Sequence, residues 1–591
     1  MSPLSRALFL KQCIAYGTFI GLAPYTTLAS PISAADDFYK RMVDANGKEV
    51  DKLIDALIPE ITNVRRRLGF DMANLAAAYC EPTSGYYQKN TLVPYMEKIV
   101  RALMQAQHED GTLDLGNLAS PPDTAFILEP LCAGATILSS NSSPALSNVK
   151  ASLRQFITKA GEAMRTGGIH TPNHRWVVSG ALAKINALYP NPGYVKRIDE
   201  WLSEGVYCDS EGNYLERSMI YSEVIDRSLI TMASLLKRPK LLEPVRRNLN
   251  LVYYHTEPNG DLVSFDSRRQ DQYQTINLLN HHYFQDYMYM AIQDKNPEFA
   301  AMAAFIASMP HFDELVLKDL LPYYLEEPLF KQAAPSPKSP PVTYEKFFKA
   351  TNLVRIRRNE TTTTLFGGTD FPLLIASGRA NSPNIFAFRK GKAILNYLRL
   401  STDFFSTGYF HSEGITKVGN KYVLQRTIEA PYYQPLPAQY KKPDGNYKHS
   451  PSTDGRFWNK MDFEHRPKSN INKLAVTVSV EDKNGTNTLA FSVTGITGVR
   501  VVIELCFNEG GRLSGVKKLD DGTDNYALES GTGEYKAGGD SINFGPGTFQ
   551  HTKLTGLEGE LYATHFGTLR TPGLHVYMTG LTPFTHTITI G

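Results

Sequence analysis

Leu474-Ala-Val-Thr-Val-Ser-Val480 decides how the second half of the chain is read. Leu474, Val476, Val478 and Val480 alternate with Ala475, Thr477 and Ser479, which puts the larger apolar side chains on one face at a period of two, as in a half-buried β-strand. Asn484-Gly485 follows, a pair that accepts the positive φ angles of a two-residue hairpin turn, and a further run carrying Phe491 and Val493 comes after it. Val501 to Cys506, Ser541 to Phe544 and His575 to Met578 read the same way. Towards the N-terminus the period changes. Tyr95, Met96, Ile99, Val100 and Leu103 recur at helical spacing with Glu97, Lys98 and Arg101 between them. Similar segments follow at roughly 123–139, 148–166, 174–188, 219–237, 241–256 and 274–293. Residues 331–343 hold Pro335, Pro337, Pro340 and Pro341 in a polar stretch that cannot continue a helix. The expected organisation is a helical domain over 36–330, a linker over 331–343, and an antiparallel β-sandwich over 344–591.

A chain of 591 residues exceeds a single core, and 42% apolar residues make it globular. The net charge of +3, with no long Lys/Arg run, gives no reason to expect a nucleic-acid partner or an anionic membrane. Arg6 and Lys11 flank the start of an apolar run, Cys13 to Ala23, and small residues lead to Ala34-Ala35. That is the pattern of a secretory signal, here residues 1–35, and implies an exported protein, periplasmic or extracellular. The run falls short of the about 20 apolar residues that span a bilayer, so no membrane insertion is expected. Cys13, Cys80, Cys132, Cys208 and Cys506 are too scattered for a disulfide framework or a CxxC pair. In the sandwich half no close pair of histidines sits at metal-ligand spacing, and neither metal nor cofactor is expected.

Gly-containing turns punctuate the helical part at His108-Glu-Asp-Gly111, Thr166-Gly-Gly168, Ser210-Glu-Gly212 and Pro258-Asn-Gly260. Their glycines are 57, 44 and 48 residues apart, close to one helical hairpin each. One turn per hairpin places the turns at one end of the stack, so the residues just beyond them should converge. Those residues are His170-Thr-Pro-Asn-His-Arg-Trp176, Asn213-Tyr-Leu-Glu-Arg-Ser-Met-Ile-Tyr221 and Asp261-Leu-Val-Ser-Phe-Asp-Ser-Arg-Arg-Gln-Asp271.

Two of these segments, Asn173-His174 before an apolar helix and the Glu-x-Ser-x-x-Tyr pattern of Glu216, Ser218 and Tyr221, resemble the heparinase and alginate-lyase group of polysaccharide lyases. The resemblance covers almost the whole mature chain as architecture and only these two segments as motif. It implies an incomplete α/α toroid followed by an antiparallel β-sandwich. In that group an Asn or His near the start of an inner helix binds a uronate carboxylate, which implies that role for Asn173 and His174. A Tyr further along moves protons, which implies Tyr221, although Ser222 stands where the group often has His. The resemblance also implies a catalytic His on the β domain. His411, in Gly408-Tyr-Phe-His-Ser-Glu413, is the candidate, with His465 second.

The chemistry of β-elimination calls for these residue types. Removing the C5 proton builds negative charge beside a carboxylate, so the site must neutralise that carboxylate with hydrogen bonds or positive charge. Asn173, His174 and either Arg268 or Arg269 are candidates, with Glu216 and Arg217 beside them. A base must take the proton and an acid must protonate the departing oxygen. Tyrosine suits the first task where cations favour its phenolate, as Arg217, Arg268 or Arg269 would for Tyr221. Blander roles compete. Asn173 and Ser218 fit helix N-caps, Glu216 a turn buttress, and Arg268 and Arg269 a surface cluster with Asp266 and Asp271. One of His281-His282 fits the core, and His411 fits a strand surface. The same toroid would also serve a glycoside hydrolase with a carboxylate pair from Glu216, Asp266 and Asp271, or a non-catalytic glycan-binding protein.

Overall fold

The computed structural model describes residues 35–57, 59–273, 280–371, 378–520, 523–554, 556–559 and 569–591. The expected export signal, but for Ala35, and the first six residues of the helical stretch expected at 274–293 lie outside them. The chain divides into two compact units. Among the described residues, the first comprises those up to Leu215, Ile220–Tyr253 and those within Leu278–Pro340; the second comprises Glu216–Met219, those within Tyr254–Asn277 and those within Pro341–Gly591. The chain finally leaves the first unit between Pro340 and Pro341, within the proline-rich stretch. Two short segments from the helical half thus belong to the second unit.

The helices are α1 Ala35–Ala56, α2 Arg67–Cys80, α3 Val93–Ala106, α4 Pro121–Ser139, α5 Ser147–Thr166 and α6 His174–Leu188. They continue as α7 Pro192–Ser203, α8 Met219–Leu235, α9 Leu242–His255, α10 Phe284–Asp294 and α11 Pro297–Ala307. They form two layers, and composition sorts them. α2, α4 and α6 are apolar nearly all round and buried along most of their length, which makes them inner helices. α3, α5 and α7 bury only a stripe, such as Val149, Leu153, Phe156, Ile157 and Ala160 of α5, and form the outer layer. α2 packs on α4 and α4 on α6, while α3, α5 and α7 neighbour one another outside. Because an outer helix returns the chain between successive inner ones, the inner helices run parallel. α6 meets α8 at Gly180, where a Cβ would lie 3.3 Å from the Ser228 Cα, so a larger residue would push the helices apart. This is the helix-hairpin arrangement of an incomplete α/α toroid.

The second unit is a sandwich of two largely antiparallel sheets. The larger runs from Thr343–Phe348 through Leu353–Arg358, Thr361–Phe366, Phe386–Lys390, Ala393–Thr402, Arg500–Phe507 and Leu574–Leu581 to short edge strands. The smaller is centred on Phe584–Ile590, Thr486–Gly495, Lys468–Lys483 and Lys421–Tyr433. The expected hairpin is present: Lys483 pairs with Thr486, Val478 with Phe491 and Val476 with Val493. Asn484 and Gly485 take φ of 52° and 87°, as the turn demands. Val476, Val478, Leu489 and Phe491 of one sheet enter the same core as Leu365, Phe386, Leu398 and Ile503 of the other.

Candidate active site

In the first unit the glycine turns have a shared backbone design. The amide of His108 donates to the Thr112 carbonyl and that of Gly111 to His108; Asp209, Asn213 and Gly212 repeat the pattern. Gly111 and Gly212 take φ of 94° and 103°, a region that penalises any Cβ. Gly168 departs from the expected repeat: its φ is not positive and nothing approaches where its Cβ would be. All three glycines nevertheless lie where an outer helix gives way to an inner one, at the inner helices' N-terminal end.

Contacts at that end tie three helices together. Arg66, which precedes α2, pairs with Asp123 in the first turn of α4 and lies over the Phe126 ring. Phe126 in turn meets the His174 ring edge-on at 6.2 Å, and His170 meets it at 4.7 Å. Asn173 is fully buried. It precedes α6 but makes no capping hydrogen bond, so the ordinary cap expected of it is not what it does; its amide lies 3.3 Å from the Thr171 hydroxyl. Tyr221 sits in the first turn of α8, half-buried. Gly180 faces Ser228, and two helical turns before each stand Asn173 and Tyr221, so the parallel helices carry these two residues at one level.

The segments beyond Gly212 and Gly260 that join the second unit are dominated by paired charges. Glu257 and Asp261, in the Gly260 turn, engage Arg355 at 2.9 Å and Arg389 at 2.6 Å, both on sheet strands. Arg268 pairs with Asp370 through Nε at 2.7 Å and Nη2 at 3.1 Å, Arg217 lies 4.0 Å from the same carboxylate, and Arg269 pairs with buried Glu216. The expected partners Asp266 and Asp271 are engaged elsewhere: Asp266 lies 3.4 Å from His255, and Asp271 accepts from Ser267 and from Ser218 at 2.9 Å. Ser218 therefore directs its hydroxyl to Asp271. Burial pushes the Asp271 carboxyl up to about 6 against the lowering effect of these two serines. All three carboxylates considered for hydrolysis are buried and committed to neighbours.

The histidines singled out in the sequence differ in their surroundings. His411 is neither on a strand nor at a surface: it is buried, with Nδ1 2.9 Å from the Tyr409 carbonyl and Nε2 3.1 Å from that of Asn381. Burial, helped by Arg426, pushes its imidazole down to about 4. His465 bonds Asp462 at 2.7 Å and stacks on Tyr440. His281 is half-buried, and His282 keeps some side-chain surface open although burial pushes its imidazole down to about 3. Sequence reading missed a chain of buried polar groups on the larger sheet, in which Glu504 bonds His575 at 2.7 Å and His575 lies 3.7 Å from the Cys506 thiol. Adjacent strands bring these residues together, and no local motif marks them.

The first unit also holds a cavity of about 730 Å³ lined by Glu129, Lys184, Tyr289, Tyr323, Glu326 and Phe330. It lies beside the C-terminal half of α8, Ile230–Leu235, away from the end that carries Asn173 and Tyr221. Lys184 is fixed there between Glu326 at 2.6 Å and Glu129 at 3.5 Å. Among the described residues no group of three or more His, Cys, Asp or Glu side chains is placed to hold a metal ion, and no single helix is long and apolar enough to cross a membrane.

No protein-family model matches the sequence, and no curated protein matches it. Solved structures do. The chain is similar to a Paenibacillus xanthan lyase with a TM-score of 0.53 and 10% identity, over 99% of this chain and 59% of that one. It is similar to heparinase III with a TM-score of 0.51 and 12% identity, over 99% of this chain and 86% of that one. The chain thus spans less than two thirds of the xanthan lyase. At such identities the agreement is one of fold, and that fold is the α/α toroid followed by an antiparallel β-sandwich found in solved polysaccharide lyases.

Proposed function

We propose that the protein is a polysaccharide lyase that cleaves a uronate-containing glycan by β-elimination. The observation that carries this reading is the placing of Asn173 and His174 at the start of α6 at the level of Tyr221 on α8, the neighbouring inner helix. The names of the structural neighbours, a xanthan lyase and a heparinase, support it. In this reading the Asn173 amide, the His174 ring and the positive end of α6 neutralise the uronate carboxylate. Tyr221 then takes the C5 proton. The C5–H pair forms the C4–C5 double bond, the C4–O bond breaks, and the departing oxygen receives a proton from Tyr221 or water. Arg268 and Arg269 are left out of the neutralising set because Asp370 and Glu216 already balance them.

The test is a screen of alginate, glycosaminoglycans and other uronate polymers for ultraviolet-absorbing unsaturated products, with Tyr221→Phe as the comparison. The expected result is a rate loss of about 10²–10⁴ in the variant, the range for a lost acid–base group, with glycan binding retained. Reducing ends appearing without the chromophore would assign hydrolysis instead. Binding without any turnover in the native protein would leave a glycan-binding protein.

A further inference from the structure

Between strands Lys421–Tyr433 and Lys468–Lys483 the chain leaves the smaller sheet for an excursion, residues 434–467, whose regular structure includes a two-stranded ribbon, Ser450–Pro451 against Trp458–Asn459. Among the described residues 16 large hydrophobic side chains are exposed, and six of them, Tyr432, Tyr440, Phe457, Trp458, Met461 and Ile471, lie in or beside this excursion. The exposure is therefore concentrated, which is the pattern of a binding surface rather than of scattered apolar residues.

The surface is also built. Tyr432 meets the Phe405 ring at 6.3 Å, and the Arg456 guanidinium lies 4.8 Å over the Phe405 ring and 4.8 Å over the Phe457 ring. Arg456 is held by Asp454 at 2.6 Å and by the Pro431 carbonyl at 3.2 Å. The result is a row of planar groups, Tyr432, Phe405, Arg456 and Phe457, whose ends face water at 56% and 49% exposure, with Trp458 at 53% beside it. Phe405 and Ser406 adopt φ of 46° and 55°, a left-handed conformation that costs a bulky residue about 1–2 kcal/mol. That cost is borne where the ring joins the row.

Charge indicates the occupant. Lys441, Lys442, Lys448 and Lys460 are exposed here without a salt bridge to any described carboxylate, and they outnumber the exposed acids of the excursion, Asp444 and Glu464. Lysine is depleted in the apolar core of protein–protein interfaces, so this mixture of flat rings and unbalanced ammonium groups does not fit a protein partner. It fits a chain of sugar rings, whose C–H faces stack on aromatics, carrying carboxylates or sulfates. We propose that the excursion is an accessory binding surface for an anionic polysaccharide, with Phe457 and Trp458 stacking on sugar rings and Lys441, Lys442 and Lys448 meeting the anionic groups. The choice of a polysaccharide rests in part on the proposed lyase reading; the stacking row and the unbalanced charge do not.

The test is affinity electrophoresis of the whole protein through gels containing alginate, chondroitin sulfate, neutral dextran or single-stranded DNA. The native protein should be retarded by at least one acidic polysaccharide. Phe457→Ala with Trp458→Ala, and separately Lys441→Gln with Lys442→Gln and Lys448→Gln, should each raise the apparent Kd at least about fivefold, as loss of central contacts does. Both variants should keep the native melting curve and the native rate on a short oligosaccharide. Retardation unchanged in both variants, or as strong with dextran or DNA as with acidic glycan, overturns the proposal. If no unsaturated product forms on any substrate while the variants still lose retardation, the lyase reading fails and the binding surface stands.

Discussion

Replacing Glu257 with Gln would keep the shape of the Gly260 turn and remove one buried charge. Glu257 is almost fully buried, accepts from Arg355 Nη1 at 2.9 Å and Thr362 Oγ1 at 2.7 Å, and lies 3.6 Å from Arg389 Nε. Burial alone would raise its carboxyl, but Arg355 and Arg389 outweigh it and hold the group at about 2, against an ordinary 4.5. That gap corresponds to about 3 kcal/mol of preference for the charged form. Stranding a buried arginine by removing its partner costs about 3–5 kcal/mol, so two routes agree on the scale. The sign with pH follows from the lowered folded value: the contribution is present above 4.5 and is lost as pH falls towards 2. Urea unfolding of native protein and Glu257→Gln, followed by a signal from the sandwich, should show the variant less stable by about 3 kcal/mol at neutral pH. The difference should shrink steadily below pH 4.5. A loss under about 1 kcal/mol, the worth of an ordinary exposed pair, or a difference that does not change with acid, would refute the reasoning.

Gly212→Ala should destabilise the helical unit by about 2 kcal/mol or more, because φ is 103° and the new Cβ would lie 2.3 Å from the Arg247 carbonyl oxygen; Gly168→Ala, without either constraint, should be close to neutral in the same melting assay. Lys184→Met should cost about 3 kcal/mol or more by leaving Glu129 and Glu326 facing each other without their shared cation, and a melting temperature within error of the native protein would contradict this. Asp271 has its folded carboxyl raised to about 6 from 3.8, so the native state holds the proton more tightly and stability falls as pH rises through that interval; Asp271→Asn should gain on the native protein across it, which paired unfolding curves at several pH values would measure.

The placement of part of the candidate site was legible in the sequence, because its elements are local. Asn173-His174 stands before an apolar helix and Tyr221 follows a glycine turn, so both could be assigned to helix starts from the chain alone. The glycine spacing was less informative than it looked. Gly111 and Gly212 share a left-handed turn, while Gly168, which falls at a similar interval, does not take a positive φ. Ion-pair partners were misjudged for a related reason. Near neighbours Asp266 and Asp271 were the natural guesses for Arg268 and Arg269, yet the chosen carboxylates, Asp370 and Glu216, are distant in sequence.

What the amino-acid order determined by itself was everything set by periodicity and backbone permission. The change of period around the prolines separates helices from strands, and Asn484-Gly485 sets the register of Val478 against Phe491. Apolar alternation then tells which face of each strand turns inward. Tertiary structure alone decided which charges balance one another, that His411 is sealed inside its unit, and that Phe405, Arg456 and Phe457 form one row. It also decided that Glu216–Met219 and the described residues from Tyr254 to Tyr273, drawn from the helical half, are packed with the sandwich. Periodicity reports only whether a side chain faces in or out. The identity of its neighbour depends on which distant segment is folded against it, and that is a property of the whole packing.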